Sequence, residues 1–189
     1  TTGIQTYTGA VTLSGAARTL TATNTSAVLF SSTINGTFGL DVATAGLTTF
    51  DGVVGGTTIL GAIEISGTGG LDLDANINLA NGTAGAASLV VTGASNLGAD
   101  VITTGLQTYT GAVTLSAGNT LQSTGTGNLL FSSTTNSDST ARALILSTGG
   151  NTTFTGAVGG TAALSGLTST TAAFTAAAIN VGGTISITN

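Results

Sequence analysis

The residues with the greatest capacity for chemistry are two carboxylates, Asp72 and Asp74, in the segment Leu71-Asp72-Leu73-Asp74. Alternation with leucine reads as a strand with both acids on one face. Strand geometry then sets them about 7 Å apart. Two carboxyls at such a separation can divide the acid and base work of glycoside hydrolysis. That chemistry wants a flanking base or cation, and the chain has no His and no Lys. Nothing like the pair recurs later in the chain. Gly69-Gly70-Leu71-Asp72 also begins like the calcium-binding nonapeptide G-G-x-G-x-D, with Asp72 standing where the third glycine belongs. One broken copy is not a calcium array. The pair therefore reads as solvated charge flanking Leu71 and Leu73.

The other acids, Asp41, Asp51, Glu64, Asp100 and Asp138, are scattered and read as surface charge that discourages stray edge pairing. Arg18 and Arg142 are the only cations, so a nucleic-acid partner is excluded. Absence of His removes the usual serine triad, and absence of Lys removes P-loop and Schiff-base chemistry. With no Cys there is neither a disulfide nor a thiolate metal site. No catalytic, cofactor or metal residue is expected, and the protein reads as a non-enzyme. Asn24-Thr25-Ser26, Asn35-Gly36-Thr37, Asn81-Gly82-Thr83 and Asn151-Thr152-Thr153 match the N-glycosylation pattern, as chance predicts in an Asn- and Thr-rich chain. Thr6 and Thr8, and Thr19, Thr21 and Thr23, alternate as an ice-binding threonine face would. That role needs the doublet in register on nearly every coil.

The elements that carry these residues come from a duplication. Thr1–Leu13 reads TTGIQTYTGAVTL and Thr103–Leu115 reads TTGLQTYTGAVTL, an offset of 102 residues. Leu29–Thr33 returns as Leu130–Thr134, Thr48–Phe50 as Thr152–Phe154, and Val54–Thr57 as Val158–Thr161. The second copy gains three residues, placed by its polar character near Asn136, Ser137, Asp138 and Ser139. It stops before any counterpart of Gly93–Val101. The expected organisation is one continuous segment, 1–189, made of repeat 1–102 and an incomplete repeat 103–189 that continues into further coils.

Period-2 alternation marks strands at Phe38/Leu40/Val42, Ile63/Ile65, Leu71/Leu73, Ile77/Leu79, Leu89/Val91, Ile179/Val181 and Ile185/Ile187. Turn signals separate them: Asn35-Gly36, Gly55-Gly56, Gly69-Gly70, Asn81-Gly82, Gly149-Gly150 and Gly182-Gly183. No stretch holds a helical stripe for long; Ala172–Ala178 is the nearest. Phe30 to Phe50 and Phe154 to Phe174 are each 20 residues apart, close to one turn of a parallel β-solenoid. The charged fraction is only 5%, glycines number 30 and proline is absent, which suits narrow, fully paired coils. The fold expected is all-β, a right-handed parallel β-helix of roughly nine coils, about five per repeat. The alternative is two tandem immunoglobulin-like β-sandwiches, since ~100 residues is also a sandwich length. No apolar run reaches the ~18 residues of a membrane span.

The segments Gln5–Leu13, Gln107–Leu115, Thr48–Thr57 and Asn151–Thr161 resemble the repeats of filamentous-haemagglutinin-like adhesins and related β-strand-repeat bacterial exoproteins. The resemblance implies a right-handed parallel β-helix, secretion across the outer membrane, and an extracellular or cell-surface role in attachment, filament building or biofilm matrix. The function expected is a stiff structural stalk, with self-association or further repeats as partners and a host or matrix ligand besides. A glycan-binding or carbohydrate-active module on the same solenoid is the alternative, and an ice-binding solenoid the second alternative.

Overall fold

Strands of three to five residues flanked by glycine can bury only two or three alternate side chains before the chain must turn. Stacking such strands in parallel, turn upon turn, is the arrangement that pairs their backbones and hides those side chains together. The computed structural model, which describes residues 1–78 and 84–189, has this architecture. It is a parallel β-helix of about eight turns, close to the nine expected, with no helix among the described residues. The sandwich alternative is not observed: the named strands pair in parallel throughout. At ~4.8 Å per turn the rod is about 40 Å long.

Each turn contributes to three walls, visited in the order I, II, III. Wall I stacks Gln5–Tyr7, Val28–Phe30, Thr48–Phe50, Leu71–Leu73, Ser95–Leu97, Val113–Leu115 and Thr135–Ser137. Wall II stacks Val11–Leu13 and Ile34–Gly36, passes through single bridges at Val54 and Ile77, and continues as Val101–Thr103, Asn119–Ser123, Ala143–Ser147, Gly166–Thr170 and Ile185–Thr188. Wall III stacks Arg18–Ala22, Leu40–Thr44, Leu60–Ile65, Ala86–Val91, Gln107–Tyr109, Leu129–Phe131, Asn151–Val158 and Ala173–Ile179.

The core is a set of vertical columns. Phe30 and Phe50 meet at a tilt of 56° in wall I, and Tyr109, Phe131 and Phe154 stack in wall III, with centroid separations of 4.3 Å to 5.4 Å. Such contacts add about 0.5–1.5 kcal/mol each beyond the area buried. Leu71 and Leu73, Ile63 and Ile65, and Leu89 and Val91 are buried, as their alternation predicts. Ile185 and Ile187 occupy inward positions on the last strand yet stay 48% and 38% exposed.

Several local expectations change. Asn35-Gly36 is the end of a strand rather than a turn, with Gly36 at φ 128° where a side chain would overlap the Leu13 carbonyl. Asn136 and Ser137 also belong to a strand, and the three extra residues lie in the loop that follows, around Asp138–Arg142. The 20-residue spacing of Phe154 and Phe174 is not a register: Phe154 pairs with Ala176, and Thr152 with Phe174. Turn length runs from 17 residues (Ala86 to Thr103) to 26 (Leu60 to Ala86). Leu79, the Asn81-Gly82 turn and the Asn81-Gly82-Thr83 pattern lie outside the described residues.

The duplicated motif changes walls. Gln5–Tyr7 lies in wall I on Val28–Phe30, whereas Gln107–Tyr109 lies in wall III on Leu129–Phe131. The two copies are thus out of phase and do not occupy the same place on five-turn blocks.

Candidate functional site

Asp72 and Asp74 do not share a strand face. Asp72 is the outward middle residue of Leu71–Leu73 and accepts a 2.8 Å hydrogen bond from Asn96 Nδ2 on the next turn. The chain has already begun its corner at Asp74, whose N–H donates to the Phe50 carbonyl at 3.0 Å. Asp51 sits at the same corner one turn earlier, its N–H donating to the Phe30 carbonyl at 2.9 Å. Desolvation, then the charges of Asp72 and Asp51, push the Asp74 carboxyl above its ordinary value of 3.8. Among the described residues no group of three or more His, Cys, Asp or Glu side chains converges as a metal site would require.

Of the remaining acids, Glu64 lies exposed on wall III, and Asp41, Asp100 and Asp138 bind neighbouring groups. Asp41 accepts from Ser66 Oγ at 2.6 Å, and Asp100 accepts from the Thr120 N–H at 2.7 Å. Asp138 holds Arg142 through two bonds, from Nε at 3.0 Å and Nη2 at 2.9 Å, and also accepts from the Thr140 N–H at 2.8 Å. The Arg142 hydrogen bond holds the Asp138 carboxyl below its usual range, and Asp138 in turn raises Arg142. This pair closes the inserted loop on itself. Arg18 is exposed and donates from Nη2 to the Ser14 carbonyl at 2.7 Å.

What the two copies share is a set of polar clips between turns. Gln107 is fully buried; its Nε2 donates to the Gln122 carbonyl at 2.9 Å and the Val101 carbonyl at 3.1 Å, while its Oε1 accepts from Tyr109 Oη at 3.0 Å. Gln5 repeats the pattern, donating to the Thr21 carbonyl at 3.0 Å and accepting from Tyr7 Oη at 2.9 Å. Asn35 Oδ1 accepts from the Thr57 N–H at 2.9 Å, and Asn136 Oδ1 from the Thr161 N–H at 3.0 Å. Thr44 Oγ1 donates to the Ser26 carbonyl at 2.5 Å and accepts from the Gly46 N–H; Thr148 does the same with the Gly127 carbonyl at 2.5 Å and the Gly150 N–H. These residues carried no chemical motif. Their signal was identity at equivalent places in both copies.

A groove of about 460 Å³ lies outside wall III, lined chiefly by Leu106, Thr108, Leu130 and Thr153. The threonines of Arg18–Ala22 do not form a ladder, since Thr19 pairs with Asp41 and Thr21 with Ala43. Chemically, the described residues hold turns together through their polar clips and present hydroxyl and aliphatic groups on the outer surface. No family model, curated protein or solved structure matches the chain.

Proposed function

We propose that the chain is a non-enzymatic structural segment of an extracellular bacterial adhesin or surface filament, serving as a stiff stalk. The observation that carries this reading is what the duplication kept. Strands, corners and the Gln, Asn and Thr clips recur in both copies, whereas Asp41, Asp51, Glu64, Asp72 and Asp74 of the first copy have no carboxylate at the matching places of the second. A catalytic or binding role resting on Asp72 and Asp74 would lie in one copy only, while every turn repeats the machinery of stacking. In a stack of this kind each turn contacts only its neighbours, so length can grow by adding sequence. The resemblance of the duplicated segments to adhesin repeats supports surface location and attachment as the setting.

Two measurements test the reading. Antibody raised to the rod should label intact cells that make the parent protein; labelling only after lysis would overturn the surface location. The rod should leave a panel of polysaccharides uncleaved, and any glycan binding should persist in Asp72→Asn and Asp74→Asn variants. Cleavage or binding abolished by those substitutions would favour the carbohydrate-active alternative.

A further inference from the structure

We infer that the 102-residue unit is a screw element: each copy carries its motif one wall round the rod, so an array of units shows the same outer surface on all sides in turn. The starting observation is the pairing of identical strands. QTY stacks on VLF in wall I in the first copy and on LLF in wall III in the second. VTL moves likewise from wall II, against Ile34–Gly36, to wall I, against Thr135–Ser137. The shift is therefore a property of the whole unit and not of one slipped strand.

Its origin can be counted. Among the described residues from Gln5 up to Gln107, twelve strands and two single-residue parallel bridges, at Val54 and Ile77, take places on the walls. Those fourteen wall positions are one fewer than the fifteen of five full turns. The unit falls one wall short of closing its phase. The interactions turn with it. The Gln5 clip runs from wall I to Thr21 in wall III, and the Gln107 clip runs from wall III to Gln122 in wall II. Nothing in a strand–corner–strand segment specifies which wall it must occupy, because every wall asks for the same alternation and the same parallel pairing.

The outer groove follows. In the second copy Leu106, Thr108, Leu130 and Thr153 lie outside wall III; their counterparts Ile4, Thr6, Leu29 and Thr49 belong to wall I and its leading corner. Each further unit would advance the pattern by about 22 Å and one third of a turn at ~4.8 Å per coil, returning to its first wall after three units and about 67 Å. A flat, one-sided array is what such a repeat cannot build. This geometry does not depend on the adhesin reading and stands or falls separately from it.

The chain contains no cysteine, so paired substitutions report register without background. Outward neighbours in wall III run Thr19–Asp41, Asp41–Glu64, Glu64–Val90 and Val90–Thr108. Neighbouring parallel strands lie ~4.8 Å apart, within the Cα range a disulfide spans. Each of the four double-cysteine variants of the full chain should lose both free thiols on mild oxidation. That walk seats Thr108 above Thr19 rather than above Thr6. Failure of any one pair while the others oxidise overturns the inference, as does failure of all four.

A second readout uses spin labels and needs no bond to form. In Thr6→Cys/Thr114→Cys both labels lie on wall I, five turns apart; in Thr6→Cys/Thr108→Cys they lie on different walls. The first pair should give the shorter distance. Equal distances, or the reverse order, overturn the screw.

Discussion

Gln107 shows how a single polar side chain can organise a narrow core. It is fully buried, and its amide bridges the Val101 carbonyl on its own turn and the Gln122 carbonyl on the next, while its oxygen receives the Tyr109 hydroxyl. Gln107→Leu would leave that buried hydroxyl without its partner, at a cost of about 1–3 kcal/mol, and would remove the amide's bonds to both carbonyls. The variant should unfold at clearly lower urea than the parent. Gln5→Leu should change the midpoint far less, because Gln5 is only half-buried in the first turn. Equal effects at the two sites would mean that burial is not what gives the clip its strength. Asp74 yields a prediction of opposite sign. Its folded pKa is raised above 3.8 by desolvation, Asp72 and Asp51, so ionisation weakens the fold as pH rises through that range. Asp74→Asn should therefore stabilise the rod at neutral pH, lose its advantage below about pH 4, and lose part of it in high salt. Thermal melts of the two proteins across pH check this.

At the scale of the strand, wall I alternates hydroxyl and aliphatic along one inner column: Val28, Thr48, Leu71, Ser95, Val113, Thr135, Val158. The hydroxyls of Thr48, Ser95 and Thr135 are buried without a hydrogen-bond partner, and two apolar neighbours keep each from reaching the next. Thr152 repeats the situation in wall III, between Leu129 and Phe174. Valine keeps the shape of threonine and removes the orphaned hydroxyl. Thr48→Val, Thr135→Val and Thr152→Val should each stabilise by about 1 kcal/mol, read as a higher urea midpoint. A loss of stability would mean that those hydroxyls have partners within the column. The alternation that predicts strands at Leu71–Leu73 or Leu60–Ile65 was legible in the sequence because inward and outward residues differ sharply there. Two features were not. The corner after Leu73 takes Asp74 off the strand, and an aspartate reads the same on either side of it. Turn length varies from 17 to 26 residues, so aromatic spacing along the chain could not give the phase of the repeat. The turn-to-turn clips were legible only as coincidences, since Gln5 and Gln107, or Asn35 and Asn136, mark no familiar chemistry.

For the molecule as a whole, the consequence lies at the ends of the stack. Strands inside the stack pair above and below, and in the free 189-residue chain the first and last turns would each present one parallel edge. Parallel strands make those two edges complementary in direction, the head-to-tail relation that gives open filaments rather than closed dimers. The last turn adds an apolar incentive: Ile185 and Ile187 stand in columns above Leu167 and Ser169, where another turn would cover them. As a free 189-residue chain the rod should associate end to end, with light scattering showing growth that rises with concentration. Lysine at both positions places two like charges in the column and should hold the chain monomeric without altering its circular dichroism. Ile145→Lys is the control, since Ile145 is equally exposed, at 46%, but faces outward from the middle of wall II. Association abolished by Ile185→Lys/Ile187→Lys and spared by Ile145→Lys would fix the contact at the end of the stack. The opposite pattern would place it on the side of the rod, and a monomer at all concentrations would show that exposed edges alone do not drive this solenoid to assemble.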